Sequence, residues 1–235
     1  MQRHKSRGPS LVAGILFLGS MGPLASGPLQ AQTEDLTSRT VHLLDEPRHR
    51  TVHHDGEIFL LDVQVNAGDT SLSHTHDAAI LLTSISNREG SSDGRVSSNT
   101  DYATESFTHQ VSNPGPGLLR IIAMTNSGAP LSDAVTDRPE GMGADPQLEN
   151  EWFRSYRVEL GPGEETPTQT HTNPTVIVQV SDGLAHVTRE DGITAELTEK
   201  GDWAWRDPGG GFRIRNAGNR AVSLVVNEAR RRGPH

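Results

Sequence analysis

Gly68-Asp69-Thr70-Ser71-Leu72-Ser73-His74-Thr75-His76 is a glycine, five intervening residues and then two histidines separated by a single threonine. Successive side chains of a β-strand point to opposite faces, so in an extended segment both imidazoles project the same way. Two imidazoles on one face are half of a metal site. Phe107-Thr108-His109-Gln110-Val111-Ser112-Asn113 reads as a second strand, and its histidine would close a triangle of neutral nitrogen donors.

Outward from this pair the chain is a series of short apolar runs. Residues 57–65 (EIFLLDVQV), 78–86 (AAILLTSIS) and 118–124 (LLRIIAM) read as strands, with Ala67-Gly68-Asp69 and Asn113-Pro114-Gly115-Pro116-Gly117 as turns between them. Residues 87–99, rich in Gly, Ser and Asp, read as a loop or hairpin connection, and residues 32–50 as a polar arm or short edge strand. His53 and His54 are neighbours, would face opposite sides of a strand and read as surface histidines. No stretch holds a helical period, so the expected class is all-β with at most one short helix.

The N-terminus is a separate matter. Arg3, Lys5 and Arg7 precede residues 11–18, apolar apart from Gly14, and small residues follow to Ala31. This is the layout of a secretory signal peptide over residues 1–31, with an apolar core too short to span a bilayer. A secreted or periplasmic protein is expected, with no membrane association after cleavage. Loss of residues 1–31 removes three basic residues and no acidic one, leaving 18 basic against 30 acidic, a net charge of −12. Such a balance disfavours nucleic acid and anionic membranes as partners. Arg230-Arg231-Arg232 reads as part of a solvated tail, residues 230–235. The absence of cysteine excludes disulfides and thiolate chemistry, so any metal must be held by His, Asp, Glu or Asn.

The second half repeats the first. Residues 156–171 lie over residues 61–76 at an offset of 95, which puts Gly163 on Gly68, Gln169 on His74 and His171 on His76. Near the end, Phe212 to Asn216 lies over His109 to Asn113 at an offset of 103. The copy therefore replaces two of three histidines, and a histidine with an amide and a ring makes a poor site for a divalent metal. Residues 127–150, with three prolines and no apolar periodicity, read as the connection between the copies.

At this level the chain resembles the cupin superfamily, specifically a two-domain bicupin. Gly68, His74 and His76 match the opening of the family's first motif, G-x5-H-x-H-x3 or 4-E-x6-G, and His109 and Asn113 the end of its second, G-x5-P-x-G-x2-H-x3-N. Gly201 to Asn216 follows the second motif along most of its length, with either Phe212 or Arg213 in the histidine place. The resemblance implies two tandem double-stranded β-helix (jelly-roll) barrels: cupin domain 1 over residues 51–126, which binds metal, and a degenerate cupin domain 2 over residues 151–229. It also implies barrel pairing, with a homodimer as one outcome. Two departures matter. Ile80 and Leu81 stand where the family's glutamate ligand should fall, and Thr104 and Ser106 replace the motif's proline and glycine.

A three-histidine centre with open positions for one divalent transition metal is therefore expected at His74, His76 and His109, with Fe, Mn, Ni, Cu and Zn all compatible with imidazole. The alternative is a hydrogen-bonded trio of polar residues at a barrel mouth. Such a metal centre suits an oxygenase-like reaction on a small organic substrate, or lyase and isomerase chemistry, or ligand binding without turnover. Glu105 shares strand parity with His109 and is a candidate base, and Tyr102 a candidate proton donor. Trp203 and Trp205 alternate onto one face and suit the second core or an interface between the copies.

Overall fold

The computed structural model describes residues 39–87, 90–91, 94–131 and 138–231, so the expected signal segment lies outside the described residues. The first half contributes β1 (Thr40–His42), β2 (His49–Asp55), β3 (Ile58–Val65), β4 (Ser73–His76), β5 (Ala79–Asn87), β6 (Gly90–Ser91), β7 (Val96–Asn99), β8 (Phe107–His109) and β9 (Leu119–Asn126). The second contributes β10 (Leu148–Glu149), β11 (Phe153–Leu160), β12 (Thr175–Gln179), β13 (Ala185–Arg189), β14 (Thr194–Leu197), β15 (Trp203–Arg206), β16 (Phe212–Asn216) and β17 (Val222–Ala229). Short 3-10 turns at Leu43–Asp45 and Asp101–Ala103 are the helical elements among the described residues.

Each half is a double-walled β structure. In the first, a small sheet ordered β1-β4-β8 faces a large one ordered β2-β3-β9-β5-β6, with β7 on β5. The second repeats it with β14-β13-β16 facing β10-β11-β17-β12-β15. Ladder pairing stays within each half, and the two halves belong to one compact unit. Residues 96–99, expected in a loop or hairpin connection, pair with β5 as an edge strand whose one apolar side chain, Val96, packs on the core. Residues 148–149, at the end of the expected connection, already pair with β11.

The inner strands of the large sheets are largely buried on both faces, which explains why they read as near-continuous apolar runs instead of alternating ones. Leu61, Val63, Val65, Ile80 and Ala123 fill the first interior. Their strand neighbours Leu60, Leu81, Ile122 and Met124 turn the other way and pack against Phe153, Val176, Val178 and Val225 of the second half. Tyr156, Ile177, Val187, Phe212 and Leu224 fill the second interior. Trp203 and Trp205 border the central layer between the halves, where the Trp205 ring lies 4.3 Å from His53. His53 is thus half-buried by tertiary packing and not a surface histidine, whereas His54 is exposed.

Polar contacts seal this layer. Arg120 donates to the buried Asp62 carboxylate at 3.1 Å and to Lys200 O and Gly201 O at 3.0 and 3.3 Å. Asn227 Nδ2 donates to Thr83 Oγ1 at 2.9 Å, and Arg157 to Gly94 O at 3.0 Å. The C-terminal arginines join in. Arg230 is buried, donates from Nη1 to Asn150 O at 2.6 Å and accepts from Asn126 Nδ2 on its carbonyl at 2.9 Å, while Arg231 pairs with Asp55 at 2.9 Å. A solvated tail beginning at residue 230 is therefore corrected: β17 carries the chain into the layer between the halves.

The internal repeat survives atom by atom. Asn113 Nδ2 donates to Val65 O at 2.8 Å and Gly117 O at 2.7 Å, and Asn216 Nδ2 donates to Leu160 O at 2.9 Å and Arg220 O at 2.8 Å. The bridges Thr70↔Ser112 and Glu165↔Arg215 correspond at the same offsets, as do His74↔His109 and Gln169↔Phe212. Phe212, not Arg213, therefore occupies the histidine place.

Gly94, at φ +69°, lies against Val180 of the second half, and an added Cβ would overlap that side chain. Gly94→Ala should lower stability by about 1–3 kcal/mol through overpacking and left-handed strain. Urea unfolding would register this as a lower midpoint at unchanged slope.

Candidate metal centre

β4 places the two histidines by simple alternation: His74 and His76 are buried, whereas Ser73 and Thr75 are only partly so. β8 runs antiparallel beside it in the register His74↔His109, Thr75↔Thr108, His76↔Phe107. Hydroxyls hold the opposite face in place, Thr75 Oγ1 to Thr108 Oγ1 at 2.8 Å and Thr40 Oγ1 to Ser73 Oγ at 3.0 Å. A slip of one residue would exchange hydroxyls for imidazoles on the inner face, so the register is what builds the site.

On that inner face the three expected histidines converge. Their ring centroids stand 4.6 Å (His74–His109), 4.9 Å (His76–His109) and 5.1 Å (His74–His76) apart. One donor atom from each lies within 4.8 Å of the others. His74 Nδ1 is 2.9 Å from Leu72 O, and since a carbonyl can only accept, this nitrogen carries the proton. Its Nε2 lone pair is left buried with no partner. His76 Nε2 sits 3.0 Å from His109 Nε2, and His76 Nδ1 is also buried without a partner. Unpaired buried nitrogens are costly, and both of these belong to the cluster.

The electrostatics favour neutral imidazoles. Burial, then the neighbouring His109 and His74, push His76 down to about 4, only partly offset by Asp77. His109 is lowered by burial and by His74. Convergent, mutually repelling on protonation and incompletely hydrogen-bonded, the trio fits a divalent transition metal.

The other expected residues divide. Tyr102 lies beside the site, its ring 4.9 Å from His76 and stacked on Phe107 at 5.3 Å with an interplanar angle of 1°. Phe107, 45% exposed, is also 5.2 Å from His109, so the pair forms an aromatic rim. Glu105 is exposed in a turn whose amide bonds Asp101 O, ahead of the start of β8 at Phe107. Strand parity therefore does not apply to Glu105, and the expectation of an inward-facing base is corrected. Ile80 is core and Leu81 faces the layer between the halves, which confirms that no carboxylate stands at the family's glutamate place. Asp77 is exposed and pairs with His42 at 2.9 Å.

Two residues of the N-terminal arm escaped the sequence reading. His49 is buried with its ring 4.5 Å from His74, and burial followed by the charges of His74, His76 and His109 pushes it down to about 3. Glu46, also buried, lies 3.0 Å from His49 Nδ1. The one signal available was the Glu46–His49 spacing of three, which is weak in a segment with no apolar pattern.

The equivalent place in the second half is filled. His171 Nδ1 donates to Glu228 at 2.8 Å, Arg154 Nη1 donates to the same carboxylate at 3.0 Å, and His171 Nε2 lies 3.3 Å from Gln169 Oε1. Phe212 stacks on His171 at 5.3 Å. Both imidazole nitrogens are engaged, so this half offers no donor set.

No family model and no curated protein matches the sequence. Among solved structures, AerE from Microcystis aeruginosa is similar with a TM-score of 0.52 at 10% identity, over 79% of this chain and 98% of that chain. A cupin domain from Bordetella pertussis Tohama I is similar over 42% of this chain and 97% of its own, at 22% identity and a TM-score of 0.33. A conserved protein with a double-stranded β-helix domain from Klebsiella pneumoniae is similar over 37% and 78% respectively, at 24% identity and a TM-score of 0.33.

Because the folded-state histidines titrate below the ordinary value of 6.5, the unfolded chain takes up protons first on acidification. Stability of the metal-free protein should be complete above 6.5 and drain as the pH falls towards about 4 and then about 3. Urea midpoints of chelator-treated protein should fall over this range, and His76→Gln should flatten part of the slope.

Proposed function

We propose that this chain, whose fold is that of the cupins, is an exported metalloprotein that binds one divalent transition metal through His74, His76 and His109 and uses it on a small organic substrate in an oxygenase-type reaction. The observation that carries the reading is the buried, unpartnered His74 Nε2 facing two further neutral imidazoles. Bound iron, manganese or nickel would supply an open position for an oxygen-donor substrate and redox chemistry towards dioxygen. The chain's own residues do the rest. Leu72 O fixes the His74 tautomer, the apolar interior around Leu61, Val63 and Ile80 excludes water, and the Tyr102–Phe107 rim offers a flat face to an incoming substrate. The exposed position of Glu105 favours this chemistry over lyase or isomerase reactions, which need a positioned base.

The repeated asparagine networks support division into two cupin domains, of which the second is a structural platform. Export follows from the N-terminal segment, and pairing into a homodimer from the family resemblance.

Protein purified without chelators should carry about one metal per chain by elemental analysis, and oxygen uptake on candidate substrates should depend on it. His109→Ala should lose the metal. His171→Ala should keep it while lowering stability by about 1–3 kcal/mol, since it strands Glu228 beside Arg154. Metal-free wild type, or loss of metal from His171→Ala alone, would reverse the assignment. Phe107→Ala should leave metal content intact and raise KM.

A further inference from the structure

The missing glutamate leaves the centre one donor short of the family pattern, and the structure brings a side chain from outside both motifs to the same place. His49 is 4% exposed and packs edge-on against His74 at 4.5 Å and 64°. His109 meets His74 from within the trio at 4.6 Å and the same 64°. His49 thus packs on the His74 edge of the triangle, beside the three rings whose donor atoms lie within 4.8 Å of one another.

A buried carboxylate stands behind it. Glu46 Oε2 lies 3.0 Å from His49 Nδ1 and accepts from Arg48 N at 2.6 Å, while Oε1 accepts from Leu72 N at 3.0 Å. Leu72 also holds His74 through its carbonyl. One buried carboxylate therefore governs two imidazoles: His49 directly, and His74 through the Leu72 peptide. A carboxylate on Nδ1 of a histidine whose Nε2 is free is the arrangement that makes imidazole a better metal donor. The arm that carries these residues is tied to the site by parallel pairing of β1 with β4, Val41 opposite His74.

We propose that His49 is a fourth nitrogen donor to the metal, with Glu46 as its positioning residue, so that the arm replaces the glutamate the barrel lacks. The proposal rests on the reading of His74, His76 and His109 as a metal site.

The test uses the full chain labelled with 15N-histidine, stripped and reloaded with Zn(II) alone, and two-bond 1H–15N correlation to count histidines with a metal-bound nitrogen. Four such histidines are expected in the wild type and three in His49→Phe, which keeps a ring in the space, or His49→Gln. Zinc affinity by chelator competition should fall about 10–100-fold in both variants, and by a smaller factor in Glu46→Gln with all four signals retained. Three metal-bound histidines in the wild type overturn the proposal while leaving the metal centre intact, a result that needs no variant to fold. No zinc binding at all overturns both readings. An unchanged count in His49→Phe, with weaker affinity only, would reduce His49 to packing and overturn its role as donor.

Discussion

The side-chain amide of Asn113 is the contact on which the first half depends. It donates to Val65 O and Gly117 O while its own oxygen accepts from Gly115 N, which joins the end of β3 to the turn before β9. The Asn113 carbonyl also accepts from Gly68 N at 2.7 Å, where the chain turns at φ +82° towards β4. Both ligand strands thus leave from one clamped point, and their register, hence the meeting of His74 with His109, follows. An asparagine suits the place because it alone among neutral side chains of its length both donates twice and accepts. Asn216 repeats the arrangement without a metal site to serve, so the clamp belongs to the fold before it belongs to the chemistry.

The central layer imposes a second constraint. The inner strands of each large sheet are largely buried on both sides, and a residue's parity decides whether it serves an interior or the seam between halves. Leu60 and Leu61 are adjacent leucines with different duties. The same rule accounts for Asp62, a carboxylate on a mostly apolar strand, which is tolerated in the seam because Arg120, Arg50 and Gln64 all reach it.

Much of this was legible in the sequence because it depends on spacing. The H-x-H pair, His109, Asn113 and the repeat at offsets of 95 and 103 are local patterns whose geometry follows from strand alternation. What was illegible depends on long-range closure. Nothing near His49 or Glu46 signals that the arm folds under β4, since their burial is created by residues 72 and 74. Arg230 reads as a tail residue because charge predicts solvation, yet its partners lie 80 residues away at Asn150 and 104 away at Asn126. Glu105 differs for a smaller reason: side-chain alternation holds only within β8, a three-residue strand that begins at Phe107.

The filled interior of the second half also bears on how the molecule comes together. Arg154 and Glu228 face each other across β11 and β17, where the first half has Phe59 opposite Thr125. Its buried charges are satisfied by one another, Arg154 and His171 both on Glu228, so this interior is complete without an ion. Its outward sheet presents a wall of Val176, Val178 and Val225 to the first half, so the packing that joins the halves is built without any of the three histidines.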